Sequence, residues 1–255
     1  MSDRFYYGYR RTVTQDVTGQ PSYEDAALTA HDFLNPQPND HLPQGAQHDA
    51  DVNELFQILQ YHQRNNLLIS VLRSVKLKWG IAGLSQPVAD IVVITNLVEP
   101  QSHRTVLDVA KEGITPSCII EVTAPRFAHA DLLQKTHIYE QAGIPEYIVL
   151  DSGLRPENEN QVAAVCYRVL GYELVDGKYE PMALDNEGRL YSAVNRAWFA
   201  PNAAGNGILV IDRHSRQPIQ PQTVIDHDRA AAAQGERRGH HLGAALDFLR
   251  SQAGE

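Results

Sequence analysis

The chain has 255 residues, of which 43% are hydrophobic, and a formal net charge of -9 at pH 7. This composition allows a sizeable buried core, and the negative charge opposes long-range attraction to nucleic acid without excluding a local basic groove. No apolar run could span a bilayer, and the first residues hold no apolar signal segment. We therefore expect a cytoplasmic protein with no membrane partner. Cys118 and Cys166 lie in apolar runs and are predicted to be free thiols, which fits a reducing compartment.

Residues 1–47 are rich in Pro, Asn, Asp, Gln and Tyr and contain the turn signals "NPQPND" and "LPQG". They predict an irregular N-terminal arm with one short helix near "YEDAALTAHDFL". From residue 48 the pattern changes, because apolar residues recur at helical spacing and predict an amphipathic helix over 49–62. The tail, 226–255, is rich in Ala and charge and predicts a surface helix. The region between arm and tail, 48–225, is predicted to be the main domain.

Apolar runs within the main domain predict a succession of strands and helices. Strands are predicted around "LLISV", "VKLKW", "ADIVVI", "SCIIEVTA", "EYIVLD", "VAAVCYRVL", "YELVDGKYEPMAL" and "GILVID". Helices are predicted at 106–111 and 128–142, and the second ends at a glycine that is followed two residues later by a proline. This order predicts an α/β fold.

The strand "CIIEV" raises a specific question, because a carboxylate, Glu121, stands at the centre of an apolar run. A buried carboxylate is costly unless it is paired, hydrogen-bonded or bound to a cation. Asp90 opens the preceding apolar strand. If the two strands are antiparallel, the start of one lies beside the end of the other, and the two carboxylates converge.

Two converging carboxylates favour a bridging cation, and Mg²⁺ or Mn²⁺ is held by such oxygen ligands together with waters and substrate phosphate. An ion of this kind can activate water for phosphodiester hydrolysis. The alternative from the residues alone is that Asp90 caps a strand and Glu121 pairs with a lysine. Lys135 and Asp131 lie four residues apart on the helix after Glu121. They are either a surface pair or a lysine that reaches back to the carboxylates and an aspartate that orients it.

The stretch that runs from Glu121 to Asp151 resembles the signature of the Uma-two family, E-V-x-S-x-S-x-x-x-D-x-x-x-K-x-x-x-Y-x-x-x-G-V-x-E-Y-x-x-x-D, allowing for a one-residue shift in the loop near 128. The resemblance extends over roughly 48–225. The matching positions are Glu121, Val122, Asp131, Lys135, Tyr139, Gly143, Glu146, Tyr147 and Asp151. Four positions depart from the family, and two of them, Ala124 and Arg126, stand where the family has serines. Ala89 stands where the family has a proline before the aspartate, and Thr123 stands where related nucleases carry a lysine.

The resemblance implies a restriction endonuclease-like fold of the PD-(D/E)XK type, with a mixed central sheet flanked by helices and additional strands towards the C-terminus. It implies a metal site formed by Asp90 and Glu121, with Lys135 as the catalytic lysine and Asp131 in support. Glu54, on the first helix of the main domain, is a further carboxylate candidate. His48, at the start of that helix, matches a histidine that is frequent in the family.

The resemblance also implies a Mg²⁺- or Mn²⁺-dependent endonuclease that hydrolyses nucleic acid, with DNA favoured over RNA and a homodimer as one arrangement. A scaffold does not fix a function, however. The alternative is a catalytically inactive binding or interaction module on the same scaffold, and the acidic net charge favours that alternative.

Overall fold

The computed structural model describes residues 5–15, 17–42, 45–97, 104–123, 130–155 and 164–221. The chain divides into two compact units, Met1–Ile219 and Gln220–Glu255. Every element given below belongs to the first unit, and the predicted tail, 226–255, lies outside the described residues. Within the described part of the chain, no helix has the length and apolar character needed to cross a membrane.

The secondary structure of the described residues alternates between strands and short or medium helices. The helices are α1 (Ala30–Leu34), α2 (Ala46–Gln63), α3 (Val109–Glu112) and α4 (Ala130–Gln141). The strands are β1 (Tyr9–Gln15), β2 (Pro21–Ala27), β3 (Asp40–His41), β4 (Ile69–Lys78), β5 (Val88–Thr95), β6 (Val106–Asp108), β7 (Cys118–Thr123), β8 (Glu146–Arg155), β9 (Ala164–Val175), β10 (Lys178–Pro181), β11 (Leu190–Ser192), β12 (Ala197–Pro201) and β13 (Ile208–Asp212).

A seven-stranded mixed sheet, in the order β10-β9-β8-β7-β5-β4-β6, forms the centre of the first unit. β7 runs parallel to β8, and β4 runs parallel to β6. The other neighbouring strands of this sheet are antiparallel. Its two edges are its shortest strands, β6 with three residues and β10 with four. Two small three-stranded sheets complete the described strands. The sheet β2-β1-β3 precedes the central sheet along the chain, and the sheet β11-β12-β13 follows it.

The central sheet is buried on both faces, which explains why β5 and β7 are almost continuously apolar. One face packs with α2, through Leu55 and Leu59, and with Phe199 of β12. The other face packs with α4, through Ile138 and Tyr139. This α/β arrangement, with additional strands towards the C-terminus, confirms the predicted architecture.

The two strands predicted around "LLISV" and "VKLKW" are one strand, β4, which is a correction. Ser74 in its middle has a φ of 53°, a left-handed conformation that residues other than glycine usually avoid. Residues an even number apart in a regular strand share a face. Val71, before Ser74, packs on the α2 side, whereas Val75, after it, packs on the α4 side. The strand therefore exchanges faces at Ser74, and its apolar pattern resembles two separate runs.

The predicted irregular arm is also corrected, because it contains a β-hairpin. β1 and β2 pair antiparallel from Tyr9 opposite Ala27 to Gln15 opposite Pro21. The short helix that was predicted near "YEDAALTAHDFL" is present as α1, with Thr29 as its N-cap. Almost every residue of β2 is exposed. A hairpin with so little burial lacks the apolar alternation by which strands are predicted.

Three further differences concern short elements. The helix predicted at 106–111 is a strand, β6, followed by the one-turn helix α3. "YELVDGKYEPMAL" was predicted as a strand of its own, but its first half continues β9 and its second half begins with β10. The predicted turn between them, at Asp176 and Gly177, is present with positive φ at both residues. β11 and β12 were not predicted. Cys118 and Cys166 are free, as predicted.

Candidate functional site

Asp90 and Glu121 lie side by side on the two antiparallel strands β5 and β7. The hydrogen-bonded register pairs Ile91 with Ile120, and one further residue places Asp90 opposite Glu121. Each of the two residues is only 3% exposed. The antiparallel arrangement on which the sequence argument depended is therefore present, and it brings two buried acids together near the start of one strand and the end of the other.

The carboxylate of Asp90 is held by two donors from different elements. The backbone N–H of Val122 on β7 donates to Oδ2 at 3.0 Å, and Nε2 of His48 on α2 lies 3.2 Å from the same oxygen. On the other side of β5, the register of β4 places Ser74 opposite Asp90. Asp90 is thus fixed by the neighbouring strand and by the first turn of α2.

The carboxylate of Glu121 is held by two side chains from one face of α4. Nζ of Lys135 donates to Oε2 at 2.8 Å, and the hydroxyl of Tyr139 donates to Oε1 at 2.5 Å. Residues four apart in a helix point the same way, so α4 presents both donors together. A carboxylate at the centre of an apolar strand is therefore satisfied by an ammonium and a phenol, which limits the cost of its burial.

The charges of the four groups are interdependent. Burial would lower the pKa of His48, but its hydrogen bond to Asp90 and the charge of that carboxylate outweigh burial and raise the pKa to about 9. Burial would raise the pKa of Asp90, whereas the hydrogen bond and charge of His48, and then the charge of Lys135, hold it below its ordinary value. His48 is therefore an imidazolium near neutral pH, and Asp90 is ionised.

Glu121 titrates differently because burial dominates. Burial raises its pKa to about 7, the charge of Lys135 opposes that rise, and the charge of Asp90 adds to it. The hydrogen bond from Tyr139 lowers the pKa by a smaller amount. Glu121 therefore exchanges its proton near neutral pH, so a modest change in its surroundings sets its charge. Such perturbed groups are typical of functional sites.

The donor set fits a hard divalent cation. Asp90 and Glu121 offer carboxylate oxygens, which are the ligands that Mg²⁺ and Mn²⁺ prefer. Among the described residues, no group of three or more His, Cys, Asp or Glu side chains is placed to hold a metal. Two carboxylates suit an ion that completes its coordination with waters and substrate oxygens. Lys135 and His48 already neutralise these acids, so an ion would have to share oxygens with them or displace them.

The remaining predicted residues lie differently. α4 carries Asp131 one turn before Lys135, but the side chain of Asp131 lies outside those that the structure describes. Glu54 is exposed and borders a small cavity with Asp51, and burial together with the charge of Asp51 raises its pKa. In the described part of the chain, Glu54 makes no hydrogen bond to the Asp90 and Glu121 pair.

Two members of the site had no role assigned from the sequence. Tyr139 was matched as a motif residue only. Its spacing of four from Lys135 was the available signal, because that spacing places both side chains on one face of a helix. The backbone N–H of Val122 could not have been assigned, since its partnership with Asp90 depends on the register of β5 against β7.

The chain is similar to known proteins in two comparisons. A family model, Uma2, described as "Putative restriction endonuclease", matches residues 27–197. One solved structure that the search matched to the chain is described as "a putative nuclease belonging to DUF820" from Anabaena variabilis ATCC 29413. It shares 16% sequence identity with the chain at a TM-score of 0.39, and the match covers 57% of this chain and 73% of that one. No curated protein matches the chain.

Proposed function

The chain belongs to the Uma2 family, and we propose that it is a metal-dependent endonuclease that hydrolyses phosphodiester bonds of nucleic acid, with DNA as the favoured substrate. The observation that carries this proposal is the pair of buried carboxylates, Asp90 and Glu121, side by side with the Lys135 ammonium 2.8 Å from Glu121. The two acids supply negative charge that can hold a metal ion, and the lysine supplies positive charge for the phosphate.

We assign the metal, Mg²⁺ or Mn²⁺, to the oxygens of Asp90 and Glu121. When bound, an ion of this class stabilises negative charge on phosphate oxygens and lowers the pKa of a coordinated water. Lys135 supplies a fixed positive charge for the scissile phosphate or for the attacking water. Asp131, by its position one turn earlier on α4, is proposed to orient that lysine.

His48 and Tyr139 act as positioning residues in this proposal. His48 holds Oδ2 of Asp90 at the side facing β7, and Tyr139 holds Oε1 of Glu121. Both residues are buried, and we assign them to the acids and not to the substrate. Their contribution is to fix the direction of each carboxylate before the ion arrives, which reduces the reorganisation that binding would require.

The test is cleavage by the purified protein of duplex DNA, single-stranded DNA and RNA in Mg²⁺, in Mn²⁺ and in excess chelator. We expect cleavage only with metal, and we expect Asp90→Asn and Lys135→Ala each to remove most of it. Lys178→Ala is the matched control, because Lys178 on β10 is an exposed lysine whose ion pair is with Glu140 and not with an acid of the site. Cleavage that persists in chelator, or in both site variants, would overturn the assignment.

A second function is favoured by one specific observation. His48 and Lys135 already pair with Asp90 and Glu121, so the site is satisfied without an ion. This is the arrangement expected of a binding module that uses the scaffold without catalysis. Absence of cleavage with every metal, together with a melting temperature that metal does not change, would select this alternative.

A further inference from the structure

Three polar residues form a row across the sheet beyond Glu121. The parallel register pairs Thr123 of β7 with Asp151 of β8, and the antiparallel register pairs Asp151 with Arg168 of β9. Thr123 lies two residues after Glu121 on the same strand, so both side chains point to the same face. The row therefore lies one step further out than Glu121, and it begins at the carboxyl end of β7 and crosses the middle of β8 and β9.

The middle residue of the row is buried and the last one is not. The side chain of Asp151 is 2% exposed, whereas that of Arg168 is 66% exposed. Oδ1 of Asp151 accepts from the hydroxyl of Thr123 at 2.7 Å, and Oδ2 accepts from Nε of Arg168 at 2.5 Å. Asp151 thus acts as an anchor that is fixed on one side by Thr123 and holds the arginine on the other.

This contact leaves most of the guanidinium available. Arginine has five N–H donors in a rigid fork that suits phosphate oxygens. Only Nε is engaged by Asp151 among the described residues, and the remaining donors belong to the exposed end of the side chain. The acid is buried and the cation faces solvent, with its Nε held by the acid.

The position of the row relates it to the proposed active site. From the rise per residue and the spacing of strands, the Cα atoms of Arg168 and Glu121 are roughly 12 Å apart. Ligands of open α/β sheets bind outside the carboxyl ends of the parallel strands, and Thr123, the first residue of the row, stands at that end of β7. The positive charge nearest Thr123 in this row comes from Arg168 on β9.

We propose that Arg168 binds a backbone phosphate of the nucleic acid neighbouring the scissile one, and that Asp151 and Thr123 position its guanidinium. The proposal rests on the proposed function, because it takes the substrate to be a polyanionic strand. Arg168 would bind the flanking phosphate, in addition to the site at Asp90, Glu121 and Lys135 where the bond is cleaved. The overall charge of -9 opposes attraction to a polyanion, and a local positive group of this kind counteracts that repulsion.

The experiment measures equilibrium binding of a fluorescently labelled DNA duplex by anisotropy, in chelator, over a series of salt concentrations. Each lost phosphate contact reduces the slope of log Kd against log salt by about 0.9 for duplex DNA. We expect Arg168→Gln to reduce the slope by that amount and to raise Kd about tenfold at low salt, as for loss of one charge-assisted contact. Lys178→Gln removes the same charge from β10, where Lys178 pairs with the last residue of β9, and should change neither.

Arg168→Lys and Asp151→Asn separate binding from folding. The lysine keeps a positive charge, so we expect an unchanged slope with a Kd raised a few-fold, because the bidentate geometry is lost. Asp151→Asn removes the anchor but keeps Arg168, so Kd should rise while the slope stays. A thermal melt of each variant accompanies the titrations, and a folded Arg168→Lys carries the test if Arg168→Gln does not fold.

The outcomes distinguish this proposal from the nuclease assignment. Equal slopes for the wild type and Arg168→Gln, or no DNA binding by the wild type, would overturn the role of Arg168 whatever the cleavage assay shows. A reduced slope in a protein that never cleaves with metal would support Arg168 as a phosphate contact and leave the binding-module function in place of catalysis.

Discussion

The backbone N–H of Val122 donates a hydrogen bond to Oδ2 of Asp90 at 3.0 Å, from one antiparallel strand to the other. Val122 directly follows Glu121, so this bond ties one acid to the backbone beside the second acid. A backbone donor cannot rotate away as a side chain can. The two carboxylates are therefore held in a fixed relation by the sheet itself. The cation His48 is the second partner of Asp90, and Lys135 is a partner of Glu121.

Neutralising Asp90 should destabilise the metal-free protein. Two unpaired acids would repel, and removal of one would then stabilise the fold. Here Asp90 is paired with the His48 imidazolium, and breaking a buried pair by removing one partner costs about 3 kcal/mol or more. We expect Asp90→Asn to lower the free energy of unfolding by about 3 kcal/mol in chelator, as measured by urea denaturation.

The same variant tests metal binding. A ligand at a hundredfold excess over Kd stabilises the folded state by about 2.7 kcal/mol, so Mn²⁺ should raise the melting temperature of the wild type and change that of Asp90→Asn much less. Glu180→Gln, an exposed carboxylate on β10, is the control and should respond as the wild type does. Equal responses of wild type and Asp90→Asn would contradict metal binding at Asp90.

The pairing of His48 with Asp90 predicts a pH dependence of stability. The pKa of His48 is raised from 6.5 to about 9 in the folded protein, so its contribution is complete below pH 6.5 and is lost as the pH rises through 9. The difference in free energy of unfolding between wild type and His48→Gln should fall by about 3 kcal/mol between pH 6 and pH 10. Denaturation at a series of pH values measures this, and a difference that does not change with pH would contradict the ion pair.

Tyr139→Phe should remove the hydrogen bond from the Tyr139 hydroxyl to Glu121 while keeping the packing of the aromatic ring. A hydrogen bond to a charged group contributes about 2 kcal/mol, and we expect a loss of that size. Because the bond lowers the pKa of Glu121, its removal should raise that pKa above about 7, so metal stabilisation should begin at a higher pH. Melting with Mn²⁺ between pH 6 and 9 measures the shift. Tyr179→Phe deletes another partly buried hydroxyl, which bonds to Ile144, and should leave the pH profile unchanged.

Ser74 offers a test of backbone strain beside the site. Glycine adopts positive φ without steric cost, whereas a β-branched residue does not. We expect Ser74→Gly to be neutral or to stabilise by about 0.5 kcal/mol, and Ser74→Val to destabilise by about 1–2 kcal/mol. Both are measured by thermal denaturation, and the exposure of Ser74 makes core packing a minor contribution. Equal stability of the two variants would show that the face exchange of β4 does not depend on this residue.

The sequence was sufficient for the parts of the fold that depend on local periodicity. β5, β7, α4 and β8 have the expected type and order, since each has a buried face with a clear apolar pattern. The approach of Asp90 to Glu121 followed from one further condition, that their strands run antiparallel. This condition could be stated from the sequence, but only the register of the sheet could satisfy it.

The rest depended on contacts between residues distant in the sequence. The bond from His48 to Asp90 joins residues 42 positions apart, and only a family resemblance had pointed to this histidine. The row from Thr123 to Arg168 requires the pairing of three strands. The hairpin of β1 and β2 is stabilised in part by the ion pair of Arg11 with Asp25, and a pair of this kind leaves no trace in an apolar pattern.

The edge strands of the central sheet and of the N-terminal hairpin sheet differ in length, and this difference bears on self-association at high protein concentration. The edge strands of the central sheet, with three and four residues, are too short to template pairing with another molecule. β2 offers seven residues, nearly all exposed, and no strand among the described residues covers its outer side. Repulsion between negatively charged molecules opposes contact along this edge at neutral pH and weakens as the acids take up protons. Concentrated samples should therefore remain dispersed near pH 8 and form oligomers first in mildly acidic buffers.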